Sequence, residues 1–198
     1  MVILVPHLML DDGEWRGELM MKSYNAETRH RRDEEHLGQF FSSYQQAILP
    51  LVRLAEDTCV EVFSFALELK SLSNLPKAQP HFIRLITSMR KIFHGQLTYS
   101  ANWDEVQNVL FWKELDFISV NAFFPLSRGP QWSPIEIKTT AEKVQTGLYQ
   151  LHQQFQRRIW FLEIGYKSTT DTAHQPWVWP EGLAKDTTVN HTAQAAAY

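Results

Sequence analysis

The chain has 198 residues, 44% of them hydrophobic and 13% aromatic, which is enough apolar material for one domain with its own core. A formal charge of -3 leaves no basic surplus for nucleic acid and no reason to expect a membrane surface as partner. The single cysteine, Cys59, excludes an internal disulfide and reads as a core residue.

Val2-Ile3-Leu4-Val5 is a short aliphatic run of the kind that parallel sheets bury on both faces, and it predicts a strand. Pro6 and His7 interrupt the apolar stretch. No basic residues precede it and no small-residue cleavage site follows, so it reads as a strand with its exit loop rather than a signal peptide. The compartment stays open, with the cytoplasm slightly favoured. No run approaches the roughly 20 apolar residues of a membrane span. A polar stretch covers residues 11–36, and its charge run at 29–35 reads as a solvated loop or a helix start.

Leu37, Phe40, Phe41, Tyr44, Ile48, Leu51 and Ala55 then recur at helical spacing, with Pro50 expected to kink or interrupt the helix. Residues 60–67 read as a strand. Phe82, Leu85, Ile86, Met89 and Phe93 mark a second helix, with Pro80 near its start and Gly95 as terminator. Residues 97–100 form the next strand candidate, and a short helix is expected over 105–112. Residues 117–120 predict a fourth strand. Ile137, Ala141, Val144, Leu148, Leu151 and Phe155 form the cleanest helical stripe, and residues 159–162 a fifth strand. The tail from Thr169 is rich in Thr, Pro, Trp and Ala, and residues 193–198 read as the first turns of a helix.

Strands alternating with helices predict an α/β fold, a parallel sheet with helices packed outside it, in a single domain over 1–198. A complete (β/α) barrel has eight strands and about 250 residues, so five strands fit either part of a barrel or an open doubly wound sheet. No glycine-rich phosphate loop follows any strand, which weighs against a nucleotide.

In both folds the chemistry sits at the C-terminal strand ends. His7 follows the first strand and Glu68 ends the second. Asn102, Trp103 and Asp104 follow the third, Asn121 ends the fourth, and Glu163 ends the fifth. Two glutamates at strand ends facing one mouth suit a glycosidase: one carboxyl protonates the leaving oxygen, the other attacks the anomeric carbon or activates water. Either could instead be a surface carboxylate or a salt-bridge partner. Glu163, between apolar neighbours, is expected to be partly buried. Trp15, Trp103, Phe123, Phe124, Trp132, Trp177 and Trp179 fall in or near segments after strands, where flat rings can cover the apolar faces of sugars. His7, Asp11, Asp12 and Glu14 match no tight ligand spacing, and no metal or cofactor is expected. No G-x-S-x-G elbow appears.

Five segments together carry a family resemblance. They are Val5-Pro6-His7 with Asp12-Gly13-Glu14-Trp15-Arg16-Gly17-Glu18; Glu61-Val62-Phe63 leading to Leu67-Glu68-Leu69-Lys70-Ser71-Leu72; Leu97-Thr98-Tyr99-Ser100-Ala101-Asn102-Trp103-Asp104-Glu105; Asp116-Phe117-Ile118-Ser119-Val120-Asn121-Ala122-Phe123-Phe124-Pro125-Leu126; and Phe161-Leu162-Glu163-Ile164-Gly165-Tyr166. In order and spacing the chain resembles glycoside hydrolase family 113, (β/α)-barrel β-1,4-mannanases. The resemblance implies a partial TIM-type barrel whose strands correspond to the third through seventh. It implies Glu68 as acid/base, Glu163 as nucleophile and a retaining double displacement on β-1,4-mannan or a related β-glycan. His7, Trp15, Arg16, Asn102, Trp103, Asn121, Phe123 and Trp177 would bind the oligo- or polysaccharide substrate.

The chain departs from the family pattern in three places. Leu67 stands where a polar residue usually contacts the sugar 2-hydroxyl, and Phe123 where a tyrosine usually stands near the nucleophile. The first, second and eighth strands have no counterpart, which would leave sheet edges open to self-association. A non-catalytic relative that retains at most carbohydrate binding is therefore the rival expectation.

Overall fold

The computed structural model describes residues 1–11, 13–19, 32–178 and 188–198, and only the backbone of 32–35. Asp12, residues 29–31 of the charge run and Trp179 lie outside the described residues. The apolar runs form strands β1 (Ile3–Leu4), β2 (Val62–Leu67), β3 (Gln96–Asn102), β4 (Ile118–Ala122) and β5 (Ile159–Ile164). They build one five-stranded sheet in the order β1-β2-β3-β4-β5, and each adjacent pair is parallel. A doubly wound sheet reverses its strand order at a switch point; a barrel adds each strand beside the last. The observed order is that of a barrel, part-built, and removes the doubly wound alternative.

The helices are α1 (Arg32–Asp57), α2 (Lys70–Ser73), α3 (Gln79–Arg90), α4 (Pro134–Phe155) and α5 (His191–Ala197). Local chemistry fixes several of their ends. At α4, Ser133 Oγ accepts the Glu136 N–H at 3.2 Å and Pro134 fills the first turn, where its missing N–H costs nothing. At α5, Asn190 Oδ1 caps the Ala193 N–H at 2.9 Å. At the end of α1 the Val60 N–H reaches Ala55 O at 2.9 Å and the Cys59 N–H reaches Glu56 O at 3.1 Å. That pair of bonds places Cys59 in the left-handed position of a Schellman cap, with φ 56°. Cys59 is thus exposed in a cap and not a core residue.

Of the two outcomes expected at Pro50, a kink or an interruption, the second does not occur: helix α1 continues through it. Pro50 and Gln46 are both exposed, so the carbonyl that loses its intrahelical partner can turn to water. Residues 105–112 do not form an α-helix; two 3₁₀ turns, Val106–Asn108 and Trp112–Glu114, take their place. The segment still buries Glu105, Val106, Val109, Phe111 and Trp112.

The two sheet faces differ in chemistry. Phe65 and Tyr99 meet Phe82 of α3, Phe111 and Trp112, all fully buried, and the Phe82 and Phe111 rings stack at 4.4 Å. The opposite side chains of the same strands are small and hydroxylated. Ser64 and Ser100 hydroxyls lie 2.8 Å apart, Thr98 donates to Phe117 O at 2.9 Å, and Ser119 donates to Tyr99 O at 2.7 Å. These buried hydroxyls are satisfied within the sheet, which removes the desolvation penalty of leaving them unpaired. Strand β5 differs from the others: Phe161 is 47% and Ile164 50% exposed, whereas every residue of β2 is buried.

Phe82 lies at the centre of the aromatic cluster, so Phe82→Ala should lower stability by about 3–5 kcal/mol in urea unfolding. Ile135→Ala, at a site 75% exposed, should change it by under about 0.5 kcal/mol. Equal effects would contradict this packing.

Candidate active site

Both candidate carboxylates stand just beyond a slip in the strand ladder. β2 pairs Ser64 with Thr98 but Leu67 with Ser100; β5 pairs Phe161 with Val120 but Glu163 with Asn121. In each case the glutamate-bearing strand takes up one extra residue. Side chains alternate between faces, so such a bulge re-aims everything after it. Phe161, two residues before Glu163, packs towards Phe124 at 6.4 Å. Without the slip Glu163 would share the face of Phe161. With it, Glu163 becomes the ladder neighbour of Asn121.

Glu68 follows β2 with φ 50°, and its N–H bonds to Ser100 O at 2.8 Å. A left-handed conformation costs a non-glycine residue about 1–2 kcal/mol, so surrounding contacts must hold it. They come from two chain segments, residues 15–16 and Asn121. Glu68 Oε1 accepts Asn121 Nδ2 at 2.9 Å, and Oε2 accepts the Trp15 indole N–H at 3.1 Å. The Arg16 guanidinium stands 3.5 Å from Oε2, and the Glu68 side chain is only 12% exposed. Gly17 permits this arrangement: a Cβ there would lie 2.3 Å from the Trp15 ring.

Glu163 is exposed rather than partly buried, because β5 is the last strand of the sheet and half of its residues are exposed. The protein around its carboxyl still removes enough water to raise its pKa, and the Glu68 charge raises it further. His7, Arg16 and Asn121 pull it back towards the charged form. His7 is exposed and contributes through its charge. Phe123 packs over Gly165, where a Cβ would approach its ring to 2.8 Å, so the residue two positions after Glu163 must be small.

Trp15, Arg16, Asn121, Glu68 and Glu163 are thus brought together, with His7 beside them. Asn102 joins through the ladder, as partner of Asn121. Trp103 stacks on Trp177 at 5.2 Å and 23°, and Phe124 meets its edge at 6.1 Å; Trp177 stays 40% exposed. This pair presents a flat aromatic surface suited to a sugar ring. Trp132 is placed elsewhere: its indole N–H donates to Thr170 O at 2.7 Å, and it packs against the small apolar cluster that includes Leu126 and Tyr166.

Beneath the site lies a group that the strand-end rule misses. Glu105 is fully buried. Its carboxyl accepts the Asn102 N–H at 2.7 Å, the Tyr99 hydroxyl at 3.0 Å and the Ser73 hydroxyl. Burial pushes its pKa up to about 7, while Ser73, Asn102 and Tyr99 act the other way. Its sequence signal is Asn102-x-x-Glu105: a glutamate three residues on that reaches back to a backbone N–H, as in a capping box. Lys70 and Asp104 join the same two loops at 2.5 Å.

The chain matches the profile of Glycoside Hydrolase Family 113 over residues 1–198. No curated protein matches it. Among solved structures it is similar to a GH113 β-1,4-mannanase at 22% identity and TM-score 0.76, and to a complex of a GH113 β-1,4-mannanase at 22% and 0.74. It is also similar to the GH113 β-mannanase AaManA of Alicyclobacillus acidocaldarius in complex with ManMIm, at 25% and 0.74. Each match covers 99% of this chain and 55–56% of the other, so the chain spans a little over half the length of these structures. The sheet is therefore part of a TIM-type barrel, in which five parallel strands curl as a half-barrel.

The buried carboxyl of Glu105 yields a pH-dependent stability. Its folded pKa, about 7, lies above the ordinary value of 4.5, so the folded state binds the extra proton between these pH values. Stability from this group is fully present below about pH 4.5 and is lost as pH rises through about 7. Urea midpoints measured across this range should show wild type losing ground to Glu105→Gln as pH rises. Parallel curves would sink the assignment.

Proposed function

This chain belongs to glycoside hydrolase family 113, and from that membership we propose a retaining glycosidase that cleaves β-1,4-mannan or a related β-glycan with Glu68 and Glu163. The observation that carries the reading is the position of Asn121. It donates to Glu68 at 2.9 Å and is the ladder neighbour of Glu163, so one buried side chain joins the two strand-end carboxyl groups. The mannan substrate class is suggested by the β-1,4-mannanases that the chain resembles.

In the first step the Glu163 carboxylate attacks the anomeric carbon while Glu68 gives a proton to the departing glycosidic oxygen. A glycosyl ester forms on Glu163 as the glycosidic bond breaks. In the second step Glu68 takes a proton from water, the resulting hydroxide attacks the anomeric carbon, and Glu163 leaves as a carboxylate. Trp15, Arg16 and Asn121 hold Glu68 in place for both transfers. The Trp103–Trp177 pair, with Trp177 exposed, supplies a sugar-stacking surface.

A second reading has a specific observation behind it. Leu67 is 2% exposed and Phe123 has no hydroxyl, so two positions that would contact sugar oxygens or the nucleophile in similar enzymes offer no polar group. A hydrogen bond at the 2-hydroxyl that strengthens in the transition state contributes several kcal/mol. A binding protein without turnover fits this arrangement.

Reducing-sugar release from soluble β-mannan separates the readings. Turnover should fall by roughly three orders of magnitude or more in Glu163→Gln, while retardation in a mannan-containing gel persists. Since Glu163 must be ionised to attack and its pKa is raised, the acid limb of the pH–rate profile should lie above the ordinary glutamate value. Folded wild type that binds mannan but releases no sugar would favour the second reading.

A further inference from the structure

Glu68 sits on a turn that its own sequence does little to hold. Its φ is 50°, helix α2 after it has four residues, and Leu69 at the helix start offers no side-chain cap. The support comes from below. The Leu69 N–H donates to the Tyr99 hydroxyl at 2.7 Å, and that hydroxyl donates to Glu105 at 3.0 Å. The Ser73 hydroxyl, at the far end of α2, donates to the same carboxyl. From the other side Glu105 accepts the Asn102 N–H at 2.7 Å, and Asn102 is the ladder partner of Asn121, which donates to Glu68. The buried carboxyl therefore grips both ends of the Glu68 environment.

We propose that Glu105 is a positioning residue: through Tyr99 and Ser73 it fixes the turn after β2, through Asn102 it fixes the end of β3, and together these set where the Glu68 carboxyl stands against Trp15 and Asn121. The proposal rests on the reading of Glu68 as the acid/base. A buried charge is a poor source of net stability, since apolar residues of the same volume generally do as well. A carboxyl with fixed donors from α2 and from β3 instead imposes geometry on both. The reach is short, because the Leu69 amide belongs to the residue that directly follows Glu68.

The Trp15 indole N–H reports the result without any turnover. It donates to Glu68 Oε2 at 3.1 Å, so its ¹H–¹⁵N resonance senses the position of that carboxyl. Trp132, whose indole N–H is held by Thr170 O, serves as the internal control. The experiment compares wild type, Glu105→Gln and the milder Ser73→Ala on uniformly labelled full chain, with Trp15→Phe to assign the peak. Thermal midpoints and, where wild type turns over mannan, kcat and KM are measured alongside. We expect the Trp15 peak to move or broaden in both variants while the Trp132 peak stays. For Glu105→Gln, kcat should fall between tenfold and about a hundredfold with KM within about twofold. A lowered midpoint with an unmoved Trp15 peak in Ser73→Ala and in any folded Glu105→Gln would overturn the proposal, leaving Glu105 as a purely structural group. If wild type shows no turnover, the reading of the reaction fails while the resonance still decides the role of Glu105.

Discussion

Alternation along a strand is the constraint on which the site depends. A regular parallel ladder would carry Glu163 to the same face as Phe161, among apolar side chains. One extra residue in β5 exchanges the faces, and Glu163 becomes the neighbour of Asn121. β2 repeats the device before Glu68. The irregularities are local, and the sheet absorbs them because each occurs at the C-terminal end of its strand, where the ladder is about to stop.

The two slips together produce a site whose parts hold one another. Glu68 would be strained alone. Trp15, Arg16 and Asn121 reach it from a loop, a 3₁₀ turn and a strand, and the buried Glu105 cluster anchors the backbone beneath it. The aromatic cluster around Phe82 sets the outer side of the same strands, so Tyr99 serves both layers: its ring packs with Phe111 at 5.4 Å and its hydroxyl enters the polar cluster. Asymmetry enters at β5. Its exposed edge leaves Glu163 in water while Glu68 is enclosed, which places the two carboxyl groups in different environments within one mouth.

The chain set out much of this in its residues. Short aliphatic runs bounded by helical stripes marked the five strands and the order of elements, because buried parallel strands need continuous apolar side chains and helices need one apolar stripe. The position of Glu68 and Glu163 after such runs came directly from this pattern, and five segments between Val5 and Tyr166 carried the family. Composition and period misled where local backbone bonds decide a residue's place. Cys59 is apolar enough for a core, yet the Schellman cap of α1 puts it in solvent. Residues 105–112 hold helix-compatible side chains, yet the Glu105 carboxyl ties down the start of the segment by accepting the Asn102 N–H.

By itself, then, the sequence determined the strands, the helical stripes, an α/β fold with a parallel sheet and which two glutamates stand at strand ends, since each of these is a matter of local period and apolar content. Only the tertiary structure decided that β2 and β5 slip by one residue, that Glu68 lies enclosed by Trp15, Arg16 and Asn121 while Glu163 is open to water, and that Glu105 is buried beneath them. These depend on which distant groups meet, and the free energy of a buried hydrogen bond or charge is set by those partners and not by the residue alone.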